Sequence, residues 1–225
     1  MEAPMSTFRR DEALSNYIVQ SCTPPDPVVT SLVQETAAVG ELFEMMTPVE
    51  QAGLLTLLAR IMSAKLVIDV GTFTGLSALS FARGLAPGGR VITCDVTEEW
   101  LDTAIEHWKR DGVDDRIEFR LGPAWKTLAG LAGTGRADII FIDADKMSYP
   151  RYYQAAVPLL RSGGLLILDN VLLKGAVMHP EAVPDEMPRM AAQTMRSVNA
   201  MLAADRRLDT VMLPIADGVT LARKK

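Results

Sequence analysis

From residue 66 onward, the chain alternates short apolar runs with polar, helix-like segments. The five apolar runs are LVIDV, RVITCD, IEFRL, ADIIFID and GLLILD. A regular succession of strand and helix favours a parallel sheet covered by helices, because each connecting helix carries the chain back across one face of the sheet. The sequence therefore predicts a doubly wound α/β fold.

The segments on either side of this alternation have other patterns. Before residue 66 the sequence predicts three helices, the second and third opened by an acidic or threonine cap near a proline: DEALSNYIVQSC, PDPVVTSLVQETAAVG and TPVEQAGLLTLLARIMSA. After the fifth run come a Pro- and Met-rich loop, a helix and a hairpin: KGAVMHPEAVPDEMPRM, AAQTMRSVNAML, and the pair LDTVMLPI and GVTLARK, which turns at ADG. We predict one domain over residues 1–225, with N-terminal helices in 1–65 and, in 66–225, a seven-stranded, mostly parallel sheet that ends in an antiparallel hairpin.

Composition limits the kinds of protein that the chain can be. Its 225 residues, 48% of them hydrophobic, can bury a core without disulfides or structural metals. The net charge of −5 and the scattered Lys and Arg residues argue against nucleic acid as a partner. Cys22 and Cys94 lack the CxxC spacing of a zinc or redox site, which fits a reducing cytoplasm. The N-terminus has no apolar signal core and no stretch reaches the roughly 18 apolar residues of a membrane span, so we expect a soluble, intracellular protein.

A glycine-containing loop joins the first apolar run to a helix, in VIDVGTFTGLS. Asp69, Gly71 and Gly75 form a D-x-G-x-x-x-G pattern, in which glycine allows a tight turn and a close approach of the backbone to a ligand. The spacing differs from the G-x-G-x-x-G of dinucleotide enzymes, so a pyrophosphate ligand is less favoured. A carboxylate at Asp69 would attract a ligand ammonium group, and Ser77 is placed to donate to a ligand carboxylate. The loop therefore indicates an amino-acid moiety.

Asp95 ends the second apolar run, where an acidic residue in nucleotide-binding folds accepts hydrogen bonds from ribose hydroxyls. S-adenosylmethionine is half amino acid and half nucleoside, and we predict it as the co-substrate. In the alternative interpretation, Gly71 and Gly75 serve only a tight turn and Asp95 caps the following helix.

Three oxygen-bearing side chains follow the fourth and fifth apolar runs. Asp143 ends the fourth, in FIDADK, and Asp169 and Asn170 end the fifth, in LLILDN. Neighbouring parallel strands lie ~4.8 Å apart and share one carboxyl edge, so these side chains are expected to converge. Two carboxylates and an amide, without His or Cys, suit a hard cation: Mg²⁺ first, with Mn²⁺ or Ca²⁺ as alternatives. In the competing interpretation, Asp143 caps a helix and the other two residues cap a turn.

Lys146, in the same FIDADK motif, is the candidate general base. A bound cation acts as a Lewis acid on a substrate hydroxyl, and a neutral lysine beside it can accept the released proton. The alternative is a surface lysine paired with Asp145.

These motifs resemble those of the cation-dependent O-methyltransferases, the family of caffeoyl-CoA O-methyltransferase and catechol O-methyltransferase, and in particular its bacterial antibiotic-pathway members. The paired FIDADK and LDN motifs carry the resemblance, together with MMTPVEQAG, DVGTFTGLS, FRLGPAWKTL and the closing DRRLDTVMLPIADGVTLARKK. The resemblance implies the Rossmann-like fold of class I S-adenosylmethionine-dependent methyltransferases, a homodimer, and catalysis by Lys146 and Asp143. It implies metal ligation by Asp143, Asp169 and Asn170. It also implies donor contacts from Thr47, Asp69, Gly71, Thr72, Ser77, Asp95, Ala124 and Asp143, with Pro123 near the adenine.

One departure from the family pattern bears on the methyl acceptor. Plant members carry an aromatic residue where this chain has Leu173, and leucine weakens the case for a flat phenylpropanoid acceptor. Bacterial members resembling this chain methylate polyketide-linked or sugar hydroxyls, including a hydroxymalonyl unit on a carrier protein. The expected acceptor is therefore a metal-chelated hydroxyl of a small molecule, either a catechol-type phenol or a polyketide- or macrolide-pathway hydroxyl, free or carrier-bound.

Two other functions were open at the level of sequence. One is a non-catalytic S-adenosylmethionine-binding regulatory module, which would lack a metal ligand or the base; the other is a nucleotide-dependent oxidoreductase, which would carry G-x-G-x-x-G. His107 is expected on the surface of a helix, and His179 contacts either the substrate or nothing. Five methionines are predicted either to line the substrate mouth or to fill the core: Met45, Met46, Met178, Met187 and Met190.

Overall fold

A seven-stranded sheet forms the centre of the protein. The computed structural model describes residues 12–133 and 136–225. The strands are β1 (Leu66–Val70), β2 (Arg90–Asp95), β3 (Ile117–Leu121), β4 (Ala137–Ile142), β5 (Leu160–Leu168), β6 (Leu208–Leu213) and β7 (Val219–Lys224). Their order is β3-β2-β1-β4-β5-β7-β6, with β1 to β5 parallel and β7 antiparallel to both β5 and β6. The predicted doubly wound sheet with its terminal hairpin is confirmed, and the winding reverses between β1 and β4.

Helices flank the sheet and occupy the N-terminal part of the described chain. The α-helices are α1 (Glu12–Gln20), α2 (Pro27–Ala37), α3 (Val49–Ile61), α4 (Leu76–Gly84), α5 (Leu101–Asp111), α6 (Ala124–Gly130), α7 (Tyr149–Leu159) and α8 (Glu186–Ala204). Short 3₁₀ segments are Gly40–Met45, Asp114–Arg116, Lys146–Ser148, Leu173–Met178 and Pro180–Ala182. The first residue of the first predicted helix, Asp11, lies outside the described residues. Among those described, no helix combines the length and apolar character needed to cross a bilayer.

Strand β4 shows why the sheet is covered on both faces. All of its residues are buried, and successive side chains enter opposite apolar layers because side chains alternate along a strand. Ile140 and Ile142 pack in the layer that includes α6, α7 and α8, whereas Ile139 and Phe141 pack in the layer that includes α2 to α5. The first polar residue after this run, Asp143, therefore marks the edge of the sheet.

Helix starts differ in part from the sequence prediction. Asp26 caps α2 as predicted, because its side chain accepts two backbone N–H bonds at 2.9 and 3.2 Å. The predicted threonine cap of α3 is wrong, since its N-cap is Pro48 and no side chain caps it. Helix α8 begins at Glu186, inside the predicted loop, because Pro188 in its first turn has no N–H that needs a partner.

His107 is buried, so its predicted surface position is wrong. Helix α2 packs against this face of α5, and His107 Nε2 lies 3.3 Å from Ser31 Oγ while Nδ1 lies 2.8 Å from the Thr103 carbonyl oxygen. Because polar residues flank His107 in the sequence, the local pattern did not indicate that α2 packs against this side of α5. The histidine therefore joins α5 to α2.

Candidate active site

A cavity of about 730 Å³ opens at the carboxyl edge of β1, β2, β4 and β5. Ligands of doubly wound sheets bind at this edge, next to the point where the winding reverses. The predicted site residues in its lining are Thr47, Gly71, Thr72, Ser77, Asp95, Ala124, Asp143, Lys146, Asp169 and Asn170. Asp69 and Pro123, also predicted near the donor, are not part of the lining.

The glycine loop after β1 is fixed by two kinds of contact. Gly71 has a φ of +105°, and a Cβ at this position would lie 1.9 Å from the Asp143 carbonyl oxygen, so only glycine fits. Asp95 Oδ2 accepts hydrogen bonds from the Thr72 and Phe73 amides, both at 3.0 Å. The helix-capping alternative for Asp95 is wrong, since no side chain caps α5. Asp95 instead holds the loop in place beside the cavity.

Asp69 is fully buried beneath this loop. Its Oδ2 accepts hydrogen bonds from Ser77 Oγ at 3.0 Å and Thr93 Oγ1 at 2.8 Å, whereas its Oδ1 has no partner among the described residues. Burial raises the pKa of Asp69 to about 7. A buried carboxylate oxygen without a donor is unfavourable, so the site fits a ligand that brings a donor or a positive charge. The direct contact with a ligand ammonium group stays a prediction.

Asp143 and Asp169 are neighbours because β4 and β5 are neighbours. The strands pair Ile142 with Leu168, so the next residue of each strand is a carboxylate at the same edge. Asn170 follows with a φ of +52°, a left-handed conformation that asparagine tolerates better than most residues. The three predicted metal ligands therefore meet at one end of the cavity, as the strand pattern predicted.

The Lys146 ammonium group lies between two of these predicted ligands. Its Nζ is 3.1 Å from Asp143 Oδ1 and 2.7 Å from Asn170 Oδ1. It also donates to the Tyr149 hydroxyl oxygen at 3.0 Å. These three contacts hold the Lys146 Nζ beside the predicted cation ligands.

Asp145, the remaining acidic residue of the FIDADK motif, has a structural role. Its Oδ1 accepts from the Ser148 amide at 2.9 Å, and its Oδ2 accepts from the Tyr152 hydroxyl at 2.8 Å. These bonds fix the turn that leads into α7. The alternative that pairs Lys146 with Asp145 is therefore wrong, because the ion pair forms with Asp143.

The chemistry of this cluster fits a divalent cation. Burial, reinforced by the nearby Asp143 carboxylate, raises the pKa of Asp169 to about 7, and a positive charge at the cluster offsets the repulsion between the carboxylates. Across residues 12–133 and 136–225, no group of three or more His, Cys, Asp or Glu side chains is placed to hold a metal. A metal here would therefore depend on the amide oxygen of Asn170 as its third protein ligand.

Sequence reasoning missed two buried residues that contact the cluster. The fully buried Tyr149 hydroxyl lies 3.1 Å from the backbone carbonyl oxygens of Ile142 and Asp169, and burial raises the Tyr149 pKa well above its usual value. Gln51 on α3 is also fully buried, with Nε2 2.5 Å from Asp169 Oδ2. The sequence gives one indication that Gln51 is buried: it lies four residues before Leu55, on the apolar side of the same helix.

The methionine prediction holds for two residues. Met45 and Met46 line the cavity, as does Leu173. The others are exposed and lie outside the lining, so they neither form the mouth nor fill the core: Met178, Met187 and Met190. His179 is exposed and also lies outside the lining.

The fold and the cavity together define a class. The chain shares its doubly wound sheet and terminal antiparallel hairpin with solved S-adenosylmethionine-dependent methyltransferases. Residues 20–225 match the model of the family described as O-methyltransferase. The chain belongs to this O-methyltransferase family.

Relatives agree with this assignment over nearly the whole chain. "Probable caffeoyl-CoA O-methyltransferase 1" of Dictyostelium discoideum is 38% identical over 217 residues, which cover 95% of this chain and 93% of the relative. The O-methyltransferase from Bacillus cereus, solved in complex with SAH, is 32% identical with a TM-score of 0.83, covering 95% of this chain and 97% of the other. The O-methyltransferase TomG from Streptomyces achromogenes, involved in tomaymycin synthesis and solved with SAM, is 29% identical with a TM-score of 0.84, covering 95% and 96%. The protein is an enzyme of the O-methyltransferase class.

Gly71→Ala tests the close approach between the glycine loop and Asp143. The added methyl group meets a backbone carbonyl, so we expect the Tm to fall and the stabilisation by S-adenosylhomocysteine to be lost. Gly88→Ala is the matched control, because Gly88 also has a positive φ, +75°, but an added Cβ has no atom within 4 Å. The control isolates the backbone penalty of roughly 1–2 kcal/mol. Thermal unfolding with and without S-adenosylhomocysteine measures the Tm and the stabilisation by the ligand for each variant. Equal values of both quantities in Gly71→Ala and Gly88→Ala would contradict the contact.

Proposed function

We propose that the protein is a divalent-cation-dependent O-methyltransferase that moves a methyl group from S-adenosylmethionine to a hydroxyl of a small molecule. The observation that carries the proposal is the position of the Lys146 Nζ, within 3.1 Å of both Asp143 Oδ1 and Asn170 Oδ1. The glycine loop borders the same cavity. The proposed proton acceptor, the proposed cation ligands and the proposed donor loop line one cavity.

The donor side of the cavity is formed by the loops after β1 and β2. S-adenosylmethionine supplies an electrophilic methyl group on a positively charged sulfur. Asp95 offers carboxylate oxygens to the ribose, and Ser77, backed by the buried Asp69, faces the amino-acid end. The other proposed donor contacts are Thr47, Gly71, Thr72, Ala124 and Asp143.

Asp143, Asp169 and Asn170 would hold the cation, with Mg²⁺ first and Mn²⁺ or Ca²⁺ as alternatives. When bound, the cation supplies Lewis acidity that lowers the pKa of an acceptor hydroxyl. As the neutral amine, Lys146 would take the hydroxyl proton while the oxygen bonds to the methyl carbon and the methyl–sulfur bond breaks, leaving S-adenosylhomocysteine. The Tyr149 hydroxyl keeps the Nζ beside these oxygens.

The acceptor approaches beside Leu173, Met45 and Met46, which line the cavity together with the cation ligands. Aliphatic and thioether side chains adapt to varied shapes but offer no aromatic ring for stacking. The acceptor we propose is a catechol-type phenol or a polyketide- or macrolide-pathway hydroxyl, including a hydroxymalonyl unit on a carrier protein. The involvement of TomG from Streptomyces achromogenes in tomaymycin synthesis supports a place in antibiotic biosynthesis.

Asp143→Ala and Asp169→Ala should each abolish metal-dependent turnover while S-adenosylhomocysteine binding is at least partly retained. Each change removes one of two carboxylates that converge after β4 and β5, and the cation needs both. Methyl transfer from labelled S-adenosylmethionine, measured in Mg²⁺ and in EDTA, tests the expectation. Turnover that is unchanged in EDTA would contradict the proposed cation dependence.

Lys146→Ala should lower kcat by roughly 10²- to 10⁴-fold if Lys146 is the general base. Lys146→Arg should be as slow, because a guanidinium keeps the positive charge but does not lose its proton in proteins. Lys109→Ala, an exposed lysine in the last turn of α5, is the control and should keep the wild-type rate. Wild-type rates in both Lys146 variants would remove it from the mechanism.

We also propose a homodimer in the cytoplasm that binds neither nucleic acid nor membranes. The family resemblance supports the dimer, and the net charge of −5 supports the absence of nucleic acid. Size-exclusion chromatography with light scattering should give twice the chain mass of 24.5 kDa. A monomer at all concentrations would contradict the dimer.

A further inference from the structure

Gln51 is a fully buried polar residue that contacts the candidate metal site from α3. Its Nε2 donates to Asp169 Oδ2 at 2.5 Å, across 118 residues of sequence. Its Oε1 is buried and has no hydrogen-bond partner among the described residues. The neighbouring buried positions of the helix are mainly apolar, namely Ala52, Leu55 and Ala59.

The packing of α3 alone does not account for a glutamine at this position. A buried amide oxygen without a donor destabilises the folded state, whereas leucine would fill a similar volume with no unsatisfied atom. The hydrogen bond to Asp169 is the polar contact that the Gln51 side chain makes. The hydrogen bond to the Asp169 carboxylate, and not apolar packing, therefore accounts for glutamine at position 51.

The carboxylate also sets the direction of this bond. With the amide reversed, Gln51 Oε1 would face Asp169 Oδ2, and two acceptors would repel each other. The other oxygen, Asp169 Oδ1, accepts a hydrogen bond from the backbone N–H of Asn170 at 2.6 Å. The two oxygens of Asp169 therefore have separate donors, the Asn170 backbone N–H and the Gln51 side chain on α3. Rotation of the carboxylate breaks at least one of these hydrogen bonds.

We propose that Gln51 is a positioning residue for the metal site. It fixes the carboxylate of Asp169 in the orientation in which Asp143, Asp169 and Asn170 bind a divalent cation together. This inference rests on the proposed function for the presence of the cation. A hydrogen bond that orients a metal ligand before binding raises metal affinity, and its loss typically weakens binding by about 10- to 100-fold.

Gln51→Leu removes the hydrogen bond and the unpartnered oxygen at similar volume. We expect this variant to bind Mn²⁺ about 10- to 100-fold more weakly than the wild type, measured by electron paramagnetic resonance during titration with MnCl₂. Its Tm in EDTA should change little, because the variant loses the unpartnered Gln51 Oε1 but leaves Asp169 Oδ2 without its donor. Its affinity for S-adenosylhomocysteine, measured by calorimetry in EDTA, should be unchanged.

Two further variants separate positioning from a general effect on the helix. Gln51→Asn keeps the amide but shortens the side chain by one methylene, so it should bind Mn²⁺ as weakly as Gln51→Leu. Thr56 lies on the same helix and donates to the Ser80 carbonyl oxygen at 2.8 Å, away from Asp169. Thr56→Val is therefore the matched control and should keep the wild-type affinity for Mn²⁺.

The outcomes separate this inference from the function on which it rests. Wild-type Mn²⁺ affinity in both Gln51 variants would overturn the positioning role and leave the proposed function intact. Parallel loss of Mn²⁺ affinity, S-adenosylhomocysteine affinity and Tm would show a general structural role and would also overturn it. A wild-type protein that binds no Mn²⁺ would overturn both the positioning role and the proposed cation dependence.

Discussion

The parallel pairing of β4 with β5 is the constraint on which the site depends. The register that pairs Ile142 with Leu168 makes Asp143 and Asp169 adjacent at the carboxyl edge of the sheet. The winding reverses between β1 and β4 at that edge, so the glycine loop after β1 reaches the same place. Gly71 lies directly against the Asp143 backbone there. Because of this contact, the glycine loop and the proposed cation ligands form one structural unit.

Gathering carboxylates at a buried edge is electrostatically unfavourable, and the surroundings offset part of that penalty. Burial raises the pKa of both Asp69 and Asp169 to about 7. Lys146 supplies a positive charge between the side chains, and the Tyr149 hydroxyl contacts its Nζ. Gln51 donates to Asp169 from α3, 118 residues earlier in the chain. The arrangement favours positively charged partners over anionic ones, which fits both a sulfonium donor and a divalent cation.

Features that depend on local pattern could be predicted from the sequence. An apolar run that stops at a polar residue indicates both a strand and its end. The convergence of Asp143 with Asp169 was predicted from these strand ends together with the shared carboxyl edge of a parallel sheet. The contacts of Gln51 and the burial of His107 could not be predicted, because each depends on which distant helix packs against it. The start of α8 was missed for a local reason, since a proline in a first turn looks the same in sequence as a proline in a loop.

Cation-dependent methyl transfer can be tested directly with the wild-type protein, labelled S-adenosylmethionine and a panel of acceptors, first in EDTA and then after Mg²⁺ is added. The panel should contain catechols, flavonoids, macrolide hydroxyls and carrier-linked hydroxyacids. We expect an acceptor with two adjacent oxygens to become labelled, EDTA to abolish the labelling and Mg²⁺ to restore it. Labelling that is equally fast in EDTA would contradict a cation held by the residues after β4 and β5.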